Sequence, residues 1–390
     1  MIYDYIIIGG GISGLYTAYK IYKKYKDVKL IILERGAIGG RMNVYNFYGS
    51  SVNIGAGVGR EDKDFLLIQL LKELNIKFDR SKLIVNYENI HKINFKSVLN
   101  ELKKSYNEKY KSYTFKLFGN KILGPKLYKD FVKYIGYSDY ENEDAFETLY
   151  HYGLDDNISG PNILYIKWNL LLDELSKNVD IKKTNVVKII DNDTNFNVLS
   201  DDGKIFTGVK VVIASTIDTV KKLLPKYKIY NNIKGQPFLR TYGKFDKKSA
   251  TLVNNIINGY TIVNGPLKKI IPINKDNGIY IIAYTDNKDA TYFKNNLDNN
   301  LDNKDFFCRE IEKALDIKDT LSLKAIKSFY WTIGTHYYIP LPDEFKSRKD
   351  FIKQCQNPQK NLFVVGELIS LNQGWTQGAL ESVENIINKL

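Results

Sequence analysis

Three glycines, Gly9, Gly11 and Gly14, stand at the spacing G-x-G-x-x-G, and a carboxylate, Glu34, follows twenty residues after the last of them. Glycines so spaced allow a tight turn, a close approach of backbone to a pyrophosphate, and close packing of a helix on a strand; the acid accepts hydrogen bonds from ribose hydroxyls. The chemistry is the holding of a dinucleotide, and it demands particular elements around it. Tyr3 to Ile8 is a β-branched, apolar run that reads as a strand buried on both faces. Ile12 to Tyr25 carries Leu15, Ala18, Tyr19 and Tyr22 at helical spacing. The N-terminus of that helix, at Ile12 and Ser13, would offer free N–H groups and a positive dipole end to phosphates. Val28 to Leu33 predicts the second strand, which delivers Glu34.

Composition bounds what else the chain can be. Its 390 residues suggest two or three domains, and 44% hydrophobic with 26% charged residues is the balance of a soluble globular protein. Two cysteines, Cys308 and Cys355, give neither a disulfide framework nor a metal-ligand spacing, and the histidines His91, His151 and His336 lie far apart, so no metal site is expected. No run reaches the roughly 18 apolar residues of a membrane span. A first strand within three residues of Met1 and an end at Leu390 predict an intracellular, cytoplasmic protein, virion-associated if its source is a large DNA virus. The net charge of +13 admits nucleic acid or another polyanion as partner. The lysines are scattered, however, and Lys, Asn, Ile and Tyr abound as in products of AT-rich genomes, so compositional drift is the favoured explanation.

Further motifs narrow the reading. Gly39, Gly40 and Arg41 follow the acid; Ala56, Gly57 and Val58 sit in a small-residue run; Asn361 to Val365 is a buried strand ending in Gly366-Glu367; and Gln373-Gly-Trp-Thr-Gln-Gly-Ala379 opens a helix. Together these resemble the flavin-containing amine oxidase family, which includes monoamine and polyamine oxidases. The resemblance implies non-covalent FAD, since the cysteine some members use to attach it is not matched near Gly366 to Trp375. It places Gly39, Gly40 and Arg41 at the cofactor phosphates and Ala56 to Val58 beside the isoalloxazine. Val186 would face adenine with its backbone. Gly366 and Glu367 would approach the pyrophosphate and ribityl chain, Thr376 would contact the cofactor, and Gly378 and Ala379 start a helix whose positive end stabilises charge on the flavin. Trp375 becomes an aromatic wall of the amine site. The family often has an arginine two residues after the acid; here Arg35 follows Glu34 directly. A lysine that holds water near flavin N5 is matched by Arg240, which would hold the same water, pair with a carboxylate substrate, or form an ordinary ion pair; Lys244 and Lys269 are alternatives from neighbouring strands. Tyr330, Trp331, His336, Tyr337 and Tyr338 are candidates to line a pocket, with His336 read as a hydrogen-bonded structural residue.

The fold so implied is α/β: a two-domain, glutathione-reductase-type FAD-binding Rossmann-like fold with an inserted α+β substrate domain. The FAD domain is expected at 1–60, 158–225 and 345–390, with the substrate domain at 61–157 and 226–344. Asp64 to Leu74, Asn162 to Lys177 and Phe306 to Leu315 are expected helices, 77–155 a helical insertion whose aromatics serve packing, and 236–284 an antiparallel sheet. The function implied is hydride transfer from an amine C–H to flavin N5, with dioxygen reoxidising the flavin to give hydrogen peroxide. The alternatives are a desaturase or porphyrinogen-type oxidase on the same scaffold, and a non-catalytic flavoprotein with a basic surface. UDP-galactopyranose mutase shares the N-terminal motif but has Asn where this chain has Arg41.

Overall fold

A computed structural model describes all 390 residues. Ile2–Ile8 lies at the heart of a seven-stranded sheet, parallel to Leu30–Glu34 on one side and to Ile205–Ile213 on the other. Ile181–Lys183 extends the sheet beyond Leu30–Glu34, and Leu362–Val364 pairs with the end of Ile205–Ile213, both in parallel. The hairpin Val186–Asp191 and Phe196–Ser200 completes it antiparallel. The apolar run is buried on both faces for the reason its composition suggested. Tyr5, Ile7, Leu30 and Ile32 point into a core shared with the helices Ile12–Lys24, Trp168–Ser176 and Thr376–Glu384. Ile6, Ile8, Ile31 and Leu33 point the other way, into a core with Ile217–Leu223 and Arg348–Gln356.

The second sheet has six strands in the order Leu323–Tyr338, Ile233–Phe245, Ile279–Asp286, Lys269–Asn274, Thr261–Val263, Asn86–Glu88. It is antiparallel except at its last pair. Alternation along Ile233–Phe245 decides what this sheet does: Leu239 faces a core built with the helices Lys247–Ile256 and Leu301–Leu315, while Phe238, Arg240 and Tyr242 face the first sheet's layer. The helices Phe95–Ser105, Phe115–Ile135 and Ala145–Tyr150 form a separate packed group around Phe95, Phe115, Phe118 and Phe131. Tyr106, Tyr110 and Tyr113 pack there too, and Pro125 breaks the longest of these helices at Gly124.

Two expectations give way. Asn162 to Lys177 is not one helix: Asn162–Ile166 is a strand paired with Phe78–Lys82 and Gly59–Arg60, and the helix starts only at Trp168. The run Ile163-Leu-Tyr-Ile166 suits either periodicity, and the partner strands decide. The division at residue 60 does not follow the packing either, because Leu67, Leu70 and Leu71 of the helix Phe65–Glu73 join the core of the first strand.

Candidate active site

A cavity of about 1150 Å³ runs between the two sheets. It begins at the turn after the first strand. Gly9 has φ +111°, and a methyl group there would be driven into the carbonyl oxygen of Ala214; only glycine serves. Gly11 has φ −76° and ψ 179°, with nothing within 4 Å of where a Cβ would stand, because that side is the cavity. Gly14 does not line the cavity. A side chain on it would collide with the carbonyl oxygen of Gly9, so its role is the close contact of helix and turn rather than contact with a ligand. The helix Ile12–Lys24 starts with no side-chain cap and no acid in its first turn, and Ile12 and Ser13 line the cavity. Its first N–H groups are therefore available to an anion.

Glu34 lies at the end of its strand as expected, with its carboxylate accepting from Gly10 N (2.6 Å) and Gly36 N (2.6 Å). Both oxygens keep lone pairs for a further donor. Arg35 is exposed at the rim and makes no ion pair. Arg35→Ala should therefore leave unfolding stability within about 0.5 kcal/mol of wild type, the range of ordinary surface substitutions. Chemical denaturation checks this.

Gly39, Gly40 and Arg41 border the next stretch. Arg41 Nη1 donates to Gly334 O (2.7 Å) and to Glu367 Oε1 (2.8 Å). Glu367 is buried and also accepts from Gly374 N (3.1 Å) and from His336 Nδ1. His336 Nε2 accepts from Ile217 N (3.1 Å), the first amide of a helix, which leaves the ring proton on Nδ1. Burial pushes the Glu367 carboxyl up, but His336, Arg41 and the Gly374 N–H outweigh it and hold it well below the usual carboxylate range. His336 is a positioned structural residue with both ring nitrogens engaged.

Deeper in, the segment Asn53 to Val58 is strapped to the second sheet. Asn53 O accepts from Arg240 Nη1 (3.0 Å) and Tyr242 Oη (2.6 Å), and Ile54 O accepts from Trp331 Nε1 (2.8 Å). Ala56, Gly57 and Val58 line the cavity, as do Val186 and Gly366. Trp375, Thr376 and Ala379 close the far side, where the helix Thr376–Glu384 also begins without a side-chain cap or a first-turn acid. The Trp375 ring stacks against the Arg60 guanidinium, 3.9 Å from its centroid, and Arg60 is fixed by Asp64 (2.7 Å) and Asp156 (2.9 Å). Sequence reasoning did not find this brace. Asp64 sits at i+4 from Arg60 and was legible as a partner; Asp156 comes from a distant turn and was not.

Of the other aromatic candidates, Trp331, Tyr337 and Tyr338 line the cavity, whereas Tyr330 packs on the opposite face of its strand against the helical layer. Tyr137, Tyr260 and Tyr284 line it and were missed. Lys244 and Lys269 do not line it: Lys244 Nζ donates to Asn277 O (3.0 Å), and Lys269 Nζ donates to Gly136 O against the rings of Tyr137 and Tyr284. Arg240 does. No helix is long and apolar enough to cross a membrane.

Residues 7–74 match the family model of an NAD(P)-binding Rossmann-like domain. No curated protein sequence matches the chain. Among solved structures it superposes on putrescine oxidase with putrescine bound, at a TM-score of 0.76 and 13% identity over 100% of this chain and 98% of that one. Two variants of the same enzyme, made to redesign its cofactor binding, superpose at 0.74 and 0.76 with the same identity and coverage. At that identity the shared property is the fold: an α/β architecture with a Rossmann-like nucleotide layer and an inserted second sheet, kept along the whole chain.

Proposed function

We propose that the chain is an FAD-dependent oxidoreductase of the amine-oxidase type, acting on a small amine. One observation carries the reading: a single cavity joins the glycine turn to the aromatic face of the second sheet, and two uncapped helix N-termini open on it. A mononucleotide would occupy only the first part of such a space. A dinucleotide with a flat ring system at one end suits all of it, and the fit is supported residue by residue. Gly11 leaves room where a phosphate must approach, and Glu34 has acceptor capacity to spare. Ala56 and Gly57 present little more than backbone toward the cavity. Both cysteines lie in cores away from it, which favours non-covalent attachment.

When bound, FAD would supply the acceptor for a hydride from an amine C–H and, through dioxygen, its own reoxidation with release of hydrogen peroxide. The chain supplies the rest. The Gly9–Ser13 turn holds the phosphates, Arg41 adds a permanent cation beside them, and the start of Thr376–Glu384 stabilises negative charge at the ring. The aromatic walls at Tyr260, Tyr284, Trp331 and Trp375 exclude water and orient the amine. The solved structure with putrescine bound adds support for an amine as substrate. The FAD portion is taken as 1–60 together with the helix Phe65–Glu73, 158–225 and 345–390, the remainder forming the substrate portion.

Trp375→Ala should keep the flavin and slow amine-dependent reduction roughly 10- to 100-fold, the scale of a lost positioning contact. Anaerobic stopped-flow absorbance reads it. Unchanged kinetics would confine Trp375 to its packing against Arg60.

A further inference from the structure

Three arginines are buried in this protein, and two of them are neutralised twice over. Arg60 meets Asp64 and Asp156, and Arg348 meets Asp144 (2.9 Å) and Glu147 (3.1 Å). Arg240, 2% exposed, meets no carboxylate at all. Its Nη1 donates to Asn53 O, its Nε has no acceptor, and its Nη2 lies 3.2 Å from where a side chain on Gly57 would stand. The guanidinium carbon sits 4.5 Å from the centroid of Tyr284. Four acids of the same cavity are engaged elsewhere. Asp156 is held by Arg60 and Lys63, Glu147 by Arg348 and His151, Glu143 accepts from Thr148, and Asp139 accepts from Tyr152. Lys269, with Asp286 beside it, lies against the rings of Tyr137 and Tyr284 and does not line the cavity.

A buried cation without a counter-ion is costly, and a protein that keeps one in a cavity is organised for a ligand that brings the charge. Nη2 donates to no protein acceptor, and it is the group left to a carboxylate through a charge-assisted hydrogen bond. Resting on the amine-oxidase reading, we infer that Arg240 receives the carboxylate of the substrate, so that the amine oxidised is an amino acid rather than a diamine. Gly57 is part of the same device, since a side chain there would fill the space beside Nη2.

The test uses the protein as purified, with benzoate as a carboxylate probe and benzamide as its neutral isostere, by titration calorimetry. Wild type should bind benzoate, and Arg240→Met should weaken it about 10- to 100-fold, the worth of charge-assisted hydrogen bonds, with benzamide unaffected. Arg240→Lys should recover part of the affinity, because the charge remains and the planar guanidinium that places Nη2 does not. The melting temperature of Arg240→Met should be equal to wild type or higher, because an uncompensated buried charge has been removed. Benzoate binding that is absent, or indifferent to Arg240, overturns the inference. So does loss of the flavin with Arg240→Met, which would assign the anion to the cofactor, or a sharp fall in melting temperature, which would make Arg240 a structural cation. Arg240-dependent benzoate binding without oxidation of any amine would instead sink the amine-oxidase reading and leave the carboxylate receptor standing.

Discussion

Gly11→Val leaves the chain folded and strips it of its cofactor. The backbone of Gly11 is extended, at φ −76° and ψ 179°, a conformation that valine adopts without strain. Nothing in the protein lies within 4 Å of the new Cβ. The branched side chain enters the space in front of the N–H groups of Ile12 and Ser13. Two hydrogen bonds from those groups to a phosphate are worth about 3–6 kcal/mol together, so flavin affinity should fall by roughly two to four orders of magnitude. Flavin content after gel filtration measures the loss, and circular dichroism measures the fold. Gly14→Val is the matching control with the opposite outcome. Its side chain meets the carbonyl oxygen of Gly9, a backbone atom that cannot move without opening the turn. A loss of more than about 3 kcal/mol, or insoluble protein, is expected there. A yellow Gly11→Val protein with wild-type flavin affinity would remove the phosphate from this turn.

Glu367→Ala destabilises the protein by about 3–5 kcal/mol, because it leaves the Arg41 guanidinium, the His336 Nδ1–H and the Gly374 N–H without their acceptor in a buried site. Glu367→Gln keeps the volume and one carbonyl oxygen, so it should lose less. The pH dependence separates charge from packing. The folded protein holds this carboxyl below its ordinary range, so its stabilisation is fully present above that range and is lost as pH falls through the depressed value. The gap in unfolding free energy between wild type and Glu367→Gln should therefore be full near neutrality and narrow in acid. A gap that stays constant from neutral to acid pH would mean that the network contributes shape rather than charge.

The nucleotide layer was legible because local signals agreed with each other. The run Tyr3 to Ile8 could only be a strand buried on both faces, the glycines could only be a turn, and Leu15, Ala18, Tyr19 and Tyr22 stand at the spacing of the helix that follows. The antiparallel sheet was legible from alternation, and the miss at Tyr330 came from its side of the strand, where it packs against the helical core while Trp331 lines the cavity. Ile163 to Ile166 was misread as helix because a short apolar run satisfies two periodicities until its partners Arg80 and Ser81 are known. Pairings between distant segments left no trace in the sequence. Arg60 with Asp156, Glu367 with His336, and the isolation of Arg240 from every acid exist only once the chain has folded. For that reason Arg240 read equally well from sequence as a water holder, a receptor or an ordinary ion pair.

The most direct test of the central claim is anaerobic titration of the purified protein with amino acids, monoamines and polyamines, following the absorbance of the oxidised flavin band. The account predicts a bound flavin that is bleached by one class of amine, with the colour returning when oxygen is admitted. A protein that carries no flavin, or a bound flavin that no amine reduces, would contradict it.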